Sequence, residues 1–403
     1  MDELGSIIAG AVASGGIPGA VVAAGRGPGV SGTWAAGLAD ATPGASRAVS
    51  AETLFDLASL TKVVSTTTLV LSLAGSGLLD LDAPVARYLP AAPWDVTVRH
   101  LLTHTSGLPA IGKFYEWCGS RAALLDALFS TPLEAPPGTR VAYSDLGFMT
   151  LGEMVSRVAG ASLDVVFREV VAGPLGLAST GYLPDGPASR FASTEFAGDG
   201  TPWTGIVHDE NARMMDGVAG HAGLFAPVTD LARFASWWVS AADSVAPAAL
   251  RREAERCQTA GLPGDGGLPG RRGLGWVKPG DRHDILAGAW PATAVSHTGF
   301  TGTSIAMDSA SGAWLVLLTN RVHAGRTEAS ASAIKALRRT VHKSLYIALF
   351  RARCVPAEVL QHLSRHTPVY GESRYDGEPE QTRGEPTAAG AEVTPGGSVP
   401  CSA

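Results

Sequence analysis

The chain has 403 residues, of which 45% are hydrophobic and 17% are charged, and its formal net charge is −6. This length is ample for a large core, and the 49 glycines and 26 prolines indicate many turns. A nucleic-acid-binding protein would show a basic excess or a basic stripe, which this sequence lacks, so nucleic acid is not expected as a partner. The four cysteines form no Cys-x-x-Cys pair, so neither a disulfide framework nor a zinc site is expected.

The N-terminus reads Met1-Asp2-Glu3, which is acidic where a secretory signal would be basic. The apolar residues 7–12 are too few for a signal core and contain a glycine. We find no stretch of the ~18 apolar residues that a membrane helix needs. The sequence therefore predicts a cytoplasmic protein without membrane insertion.

The first predicted elements are two strands, residues 20–24 and 32–38, joined by the Gly- and Pro-containing turn 25–29. A helix is predicted over 59–74 and ends at two glycines. This helix has almost no polar face, which is typical of a helix buried on all sides.

Helices dominate the predicted middle of the chain, and strands return after a Gly-rich loop at 261–273. The predicted helices are 121–130, 145–158, 163–171 and 229–241. The later predicted strands are 275–277, 294–297, 303–308 and 313–319, followed by a long helix over 326–350.

Strands at both ends of the chain predict one antiparallel sheet flanked by helices, an α/β (α+β sandwich) fold with a mostly helical insertion. We expect residues 1–80 and 261–350 to form the sheet-containing lobe and 81–260 to form the helical lobe. Residues 351–367 would be a C-terminal extension. The tail 368–403 is rich in Gly, Pro, Glu, Ser and Thr and is predicted to be disordered.

The first chemical signal is Ser59-x-x-Lys62 at the start of the predicted buried helix. Positions i and i+3 share a helix face, so the serine hydroxyl and the lysine amine become neighbours. A serine needs a base to become a nucleophile, and lysine serves only if its surroundings lower its pKa from about 10.4. Taken alone, the pattern also fits a helix-capping serine and a lysine that reaches to solvent.

A second signal is Tyr143-Ser144-Asp145, which follows a Pro-Pro-Gly turn and precedes a predicted helix. The Tyr143 phenol could relay a proton to or from a leaving group. The alternative interpretation is a half-buried structural tyrosine with Asp145 as the N-cap of the helix.

A third signal, His297-Thr298-Gly299-Phe300, lies at the end of a predicted strand. Gly299 would allow the close approach of a substrate backbone. His297 could contact a carboxylate or take part in a proton relay.

In this order and at these separations, the three motifs resemble the serine β-lactamase and penicillin-binding-protein superfamily. More narrowly, the chain looks like the class C β-lactamase-like branch, with its esterases, D-amino-acid peptidases and transacylases. Residues 54–58, 100–108 and 217–225 match the motifs' usual surroundings. The resemblance covers about residues 15 to 350 and implies the β-lactamase/transpeptidase-like fold.

The resemblance also implies roles. Ser59 would be the acylated nucleophile, Lys62 its base or base partner, and Tyr143 the proton shuttle to the leaving group. The backbone N–H groups of Ser59 and Phe300 would form the oxyanion hole. The substrate side would be completed by Asp145, His297, Thr298 and Gly299. Neither a cofactor nor a metal is implied, and the expected partner is a small ester, amide or peptide.

Two departures from the family pattern narrow the expected activity. Many members have Asn where Asp145 stands, and a carboxylate cannot donate an amide hydrogen bond to a substrate carbonyl. Near Lys62 it would also raise the lysine pKa. Many members have Lys where His297 stands, so a permanent positive charge is missing. Both changes argue against an efficient β-lactamase and remain compatible with an esterase or peptidase.

Three functions therefore stay open. The leading one is a serine hydrolase that cleaves an ester or amide through acyl-Ser59. The second is an acyltransferase or peptide cyclase that passes the acyl group to an amine or alcohol. The third is a non-catalytic ligand sensor. A zinc site at His100 and His104 is not expected, because glycine and proline break the helix and no glutamate lies between them.

Overall fold

The computed structural model describes residues 2–286 and 288–351. The predicted tail 368–403 and the predicted extension, apart from residue 351, lie outside the described residues. The described helices, in chain order, are α1 (Asp2–Ala13), α2 (Thr68–Gly75), α3 (Val98–Leu102), α4 (Arg121–Phe129), α5 (Asp145–Ala159), α6 (Leu163–Phe167), α7 (Gly173–Leu175), α8 (Glu210–Met214), α9 (Val228–Val239), α10 (Ala248–Glu255) and α11 (Glu328–Arg351). The described strands are β1 (Gly19–Arg26), β2 (Gly29–Asp40), β3 (Arg47–Ala48), β4 (Phe55–Asp56), β5 (Gly181–Tyr182), β6 (Ser193–Phe196), β7 (Pro202–Thr204), β8 (Leu224–Ala226), β9 (Val295–Thr298), β10 (Ser304–Asp308) and β11 (Ala313–Thr319).

The main sheet has six strands in the order β3-β2-β1-β11-β10-β9. Its central pair joins the two ends of the chain, because β1 lies antiparallel to β11 with Val22 opposite Leu317. On its other side β1 pairs with β2 as the predicted hairpin. The prediction of an α/β fold with one antiparallel sheet built from both chain ends is confirmed.

Helices cover both faces of this sheet, which explains why β11 is an almost continuous apolar run. Side chains alternate along a strand, so Val316 and Leu318 point to one face and Leu315 and Leu317 to the other. The first face packs against the large core that contains α2, α5 and α9. The second face packs against α1 and α11.

The helix predicted over 59–74 is present, but it is not a regular α-helix. It begins with a 3-10 turn at Ala58–Leu60, continues as a π-helix over Lys62–Thr67, and becomes α-helical only in α2. All six residues of the π-helical segment are buried. Single π-helical turns inside helices are frequent at functional sites, because they change which side chains face one another.

This buried helix also bears on the membrane prediction. Among the described residues, Ala58–Gly75 is long and apolar enough to cross a membrane, so the expectation that no such stretch exists is wrong by length and composition. The structure buries 78% of the segment inside the protein. Packing in the core therefore accounts for its apolar character.

Three further details differ from the sequence-based expectation. The predicted strand at 275–277 is replaced by isolated bridges of Val277 with Arg272 and with Ser296. The helix α1 was not predicted, since its short apolar run contains glycines. The predicted helical middle also contains short strands, and β8 pairs with β4 from the N-terminal part of the chain. The division into two lobes stays a prediction.

A buried histidine makes the stability of this fold dependent on pH. His342 on α11 is fully buried, and its Nε2 lies 3.3 Å from Ser304 Oγ. Burial, with a smaller contribution from Arg338, lowers the pKa of His342 to about 3. The unfolded chain would bind a proton at this histidine below about pH 6.5, and the folded chain would not.

We therefore expect the free energy of unfolding to fall as the pH drops below about 6.5, by about 1.4 kcal/mol per pH unit for His342. The variant His342→Gln lacks this titration, so its disadvantage relative to the wild type should shrink steadily between about pH 6 and pH 4. Urea unfolding across this range measures the difference. Parallel curves for the two proteins would contradict the assignment.

Candidate active site

The Ser59 and Lys62 side chains meet as their spacing predicts. Lys62 is fully buried, and its Nζ donates to Ser59 Oγ at 2.9 Å. It also donates to the backbone carbonyl of His221 at 3.0 Å, and it forms an ion pair with Asp145 Oδ1 at 2.7 Å. Three parts of the chain that are far apart in sequence therefore meet at one ammonium group.

These contacts shift the pKa values of Lys62 and Tyr143, the two titratable groups that contact Ser59. Burial lowers the pKa of Lys62, but the charge of Asp145 and the contact with Tyr143 raise it, and the net pKa lies above its usual value. The sequence argument that Asp145 raises the lysine pKa is confirmed. Burial likewise raises the pKa of the Tyr143 phenol, against the opposing effects of Lys62 and of a hydrogen bond with Ser59.

Tyr143 is surrounded by cationic and imidazole groups. Lys62 Nζ lies 5.1 Å from the centre of its ring, and the guanidinium of Arg272 lies 5.8 Å from it. The rings of three histidines lie around it, with centroid distances between 4.7 and 6.2 Å: His104, His283 and His297. Burial and these neighbouring positive charges lower the pKa of His297 well below its usual value, so its imidazole is neutral at pH 7.

The backbone before Ser59 is held by Asp56. Its Oδ1 accepts the N–H of Ala58 at 2.7 Å, and its Oδ2 accepts the N–H of His208 at 2.6 Å. Ala58 has φ of 46°, a left-handed conformation that is costly for a residue with a side chain. The carboxylate of Asp56 thus stabilises the unusual turn that presents Ser59.

The turn after β9 packs against the same backbone. Thr301 Oγ1 donates to the carbonyl of Asp56 at 2.7 Å, and Thr303 Oγ1 donates to the carbonyl of Leu57 at 3.0 Å. A Cβ at Gly299 would lie well inside van der Waals distance of that Leu57 carbonyl. A glycine is therefore required here so that the turn can lie beside Ser59.

Phe300 is fixed from several sides. Its backbone carbonyl accepts from Arg321 Nε at 2.9 Å, and the Arg321 guanidinium lies 4.7 Å from its ring. His208 stacks on the ring with centroids 5.5 Å apart, and Arg326 lies 5.5 Å from the ring centre. The peptide that carries the Phe300 N–H is held through its own carbonyl, that of Gly299, which accepts from Arg338 Nη2 at 2.7 Å.

His100 and His104, four residues apart, have separate structural roles. His100 caps the helix α3 together with Thr97, whereas His104 Nδ1 accepts the N–H of Ser144 at 3.0 Å.

Ser144, and not Asp145, is the N-cap of α5, since its hydroxyl accepts the N–H of Gly147. The alternative interpretation of Asp145 as the N-cap is therefore wrong, and its carboxylate is available for Lys62. Among the described residues no group of three potential metal ligands occurs.

The glycine-rich loop 217–223 reaches Lys62 because two backbones come into close contact. A Cβ at Gly220 would lie 2.8 Å from the backbone nitrogen of Gly152 on α5. Thr66 Oγ1 donates to the Gly220 carbonyl at 2.6 Å, next to the His221 carbonyl that accepts from Lys62. His221 Nε2 lies 2.9 Å from Asp209 Oδ1, which orders this loop.

Sequence reasoning did not assign several of these neighbours to the site. Arg272 and His283 come from the Gly-rich region after α10, where no motif marks them. Asp56 was noticed only as a residue preceding the nucleophile. Its position three residues before Ser59 was the available signal, because a carboxylate there can bond to the backbone N–H two residues later.

Comparisons with known proteins agree on one family. The profile described as Beta-lactamase matches residues 4–338. The N-acetylmuramyl-L-alanine amidase of Bacillus subtilis (strain 168) is 32% identical over 306 residues, which are 67% of this chain and 68% of that protein. The chain belongs to the β-lactamase family.

Two further similarities extend this result. The putative D-alanyl-D-alanine carboxypeptidase of Escherichia coli (strain K12) is 31% identical over 310 residues, covering 67% of this chain and 70% of that protein. The solved structure of EstCE1, a hydrolase with promiscuous acyltransferase activity, has a TM-score of 0.67 and 23% identity, with 84% of this chain and 98% of that chain covered. The first match supports the family, and the second shows the shared fold. As a member of this family, the protein is a serine hydrolase.

The close packing at Gly299 leads to a test. We expect Gly299→Ala to lower kcat by about 100-fold, because the added methyl group moves the turn and its Phe300 N–H away from Ser59. Hydrolysis of a p-nitrophenyl ester measures the effect. The control is Gly198→Ala, where a Cβ meets no atom within 4 Å and activity should not change. An unchanged kcat in a folded Gly299→Ala protein would contradict the proposed position of this N–H.

Proposed function

We propose that this protein cleaves an amide or ester through a covalent acyl-Ser59 intermediate. The observation that carries the proposal is the contact of Ser59 Oγ with Lys62 Nζ at 2.9 Å, beside the Tyr143 phenol. A serine hydroxyl within hydrogen-bond distance of a buried proton relay is the arrangement that nucleophilic catalysis needs. The Ser-x-x-Lys motif is thus assigned a catalytic role.

In the proposed reaction the Ser59 oxygen attacks the carbonyl carbon, and Tyr143 gives a proton to the leaving group. The N–H groups of Ser59 and Phe300 stabilise the negative charge that develops on the carbonyl oxygen. The contacts that fix Phe300 support this role, because an oxyanion hole works only when its donors are already oriented. His297, Thr298 and Gly299 form the wall of the substrate site along β9.

We propose a small amide or peptide as the preferred substrate. The names of the Bacillus subtilis amidase and the Escherichia coli carboxypeptidase both describe the cleavage of amide bonds in amino-acid-containing compounds. Asp145 and His297, in place of the Asn and Lys of many β-lactamases, argue against efficient β-lactam hydrolysis. The cytoplasmic location expected from the sequence stays a proposal.

The first test is the nucleophile itself. We expect Ser59→Ala to abolish turnover and to leave the protein folded, because Lys62 keeps its contacts with Asp145 and the His221 carbonyl. Intact-mass measurement after incubation with p-nitrophenyl esters, D-amino-acid amides and β-lactams should show an acyl adduct on the wild type only. Retained turnover by the folded variant would refute the mechanism. A wild type that forms no adduct with any of these compounds, or with a fluorophosphonate, would favour the ligand-sensor alternative.

Acyl transfer is the second candidate function. Phe300 keeps 39% of its surface exposed beside the nucleophile, and this apolar surface could hold an acceptor alcohol or amine. The shared fold with EstCE1, which is described as a hydrolase with promiscuous acyltransferase activity, is compatible with this alternative.

Partition of the acyl group distinguishes the two functions. With an activated ester as donor and increasing amine or alcohol in the mixture, a transferase gives an acylated acceptor whose yield rises until it saturates. A hydrolase gives the free acid at every acceptor concentration. Chromatography of the products measures the ratio. Free acid as the sole product across all acceptors would exclude the transferase function for those classes.

A further inference from the structure

Lys62 Nζ donates two hydrogen bonds and also forms an ion pair with Asp145. A lysine ammonium has three N–H donors and no acceptor. Lys62 Nζ lies 2.9 Å from Ser59 Oγ, 3.0 Å from the His221 carbonyl and 2.7 Å from Asp145 Oδ1. In this arrangement Ser59 Oγ accepts a hydrogen bond from the lysine. The amine therefore has no lone pair with which to take the serine proton.

The carboxylate of Asp145 can take a proton from Lys62 and so leave a lone pair on the lysine nitrogen. It stands at the shortest of the three distances, and an ionised carboxylate accepts protons but cannot donate them. Its side chain is only 17% exposed, so its pairing with Lys62 is little weakened by solvent. The other nearby carboxylate, Asp209, contacts His221 and the N–H of Ala212 rather than the lysine.

We propose that Asp145 is the proton acceptor during acylation and that Lys62 relays the proton. This inference rests on the proposed acyl-Ser59 mechanism and adds the destination of the proton. As the Ser59 oxygen bonds to the carbonyl carbon, its O–H proton moves to Lys62 Nζ. At the same time Lys62 gives one N–H proton to Asp145 Oδ1.

The charges balance in this step. Before it, Lys62 is an ammonium and Asp145 is a carboxylate. After it, Lys62 is again an ammonium, Asp145 is a neutral acid, and the negative charge is on the substrate oxygen. When the intermediate collapses, the leaving group takes a proton from Tyr143. The phenol regains its proton from Lys62, and Asp145 returns its proton to Lys62.

The other titratable groups beside Lys62 are poor acceptors for its proton at neutral pH. The phenol of Tyr143 has a raised pKa because it is buried, so it is not a ready base at neutral pH. His104 and His297 have pKa values well below the usual range, because burial and the positive charges of Arg272 and Lys62 disfavour their protonation. These imidazoles are neutral at neutral pH and do not compete for the lysine protons.

The test follows the rate of Ser59 labelling by a fluorophosphonate between about pH 4 and pH 10. Fluoride leaves without help from a proton donor, so the rate isolates the activation of Ser59 from the role of Tyr143. In the wild type the labelling rate should fall only at an acid limb well below neutral pH, because a carboxylate and not a neutral amine accepts the proton. In Asp145→Asn the reaction needs a neutral Lys62, so the limb should move upward by at least about 2 pH units while labelling persists at high pH.

Two variants complete the experiment. Asp145→Glu keeps a carboxylate and should keep the low acid limb, even if its overall rate falls. Asp209→Asn removes a carboxylate that does not contact Lys62, and it should also keep the low limb. An Asp145→Asn limb equal to that of the wild type would overturn the inference, and so would an equal upward movement in Asp209→Asn.

Failure of the broader proposal would look different. If the wild type is not labelled at Ser59 at any pH, the acyl-Ser59 mechanism itself fails. If the wild type is labelled and folded Asp145→Asn is inert up to about pH 10, the acid limb of Asp145→Glu decides: a low limb supports the inference and a high one overturns it. If Asp145→Asn does not fold, a high acid limb in Asp145→Glu overturns the inference and a low one supports it.

Discussion

The structure depends on one buried positive charge, the ammonium of Lys62. A buried charge is strongly unfavourable unless it is paired and hydrogen-bonded. Its partners come from the same helix (Ser59), from the start of α5 (Asp145) and from the loop 217–223 (the His221 carbonyl). These three segments must therefore meet at one point, and the folding of the helical middle of the chain is tied to the assembly of the site.

The two ends of the chain meet at the same point for a different reason. The pairing of β1 with β11 brings the C-terminal strands next to the N-terminal ones, and β9 then lies at the edge of the sheet. Threonine hydroxyls in the turn after β9 donate to the carbonyls of Asp56 and Leu57, just before Ser59. The nucleophile and the proposed oxyanion donor Phe300 thus belong to one hydrogen-bonded unit. Gly299 makes their close approach possible.

The ion pair of Lys62 with Asp145 changes how the site can work. A lysine that is desolvated and unpaired would have a lowered pKa and could be a free base. Here the charge of Asp145 raises the pKa of the lysine and keeps the proton on it. A site of this kind suits substrates that do not need an amide donor from residue 145. It accords with an amidase or esterase more than with a β-lactamase.

The amino-acid sequence by itself determined the features that depend on local pattern. These are the hairpin β1–β2, the long helices α5 and α11, the apolar strand β11 and the contact of Ser59 with Lys62, because each is set by residues close together in the chain. The order and spacing of the three motifs also indicated the family. Only the tertiary structure decided the π-helical turn, the geometry of the ion pair with Asp145, and the presence of His104, His283 and Arg272 around Tyr143. Those groups are brought together by packing between distant segments, and the local sequence pattern does not predict which of them will be in contact.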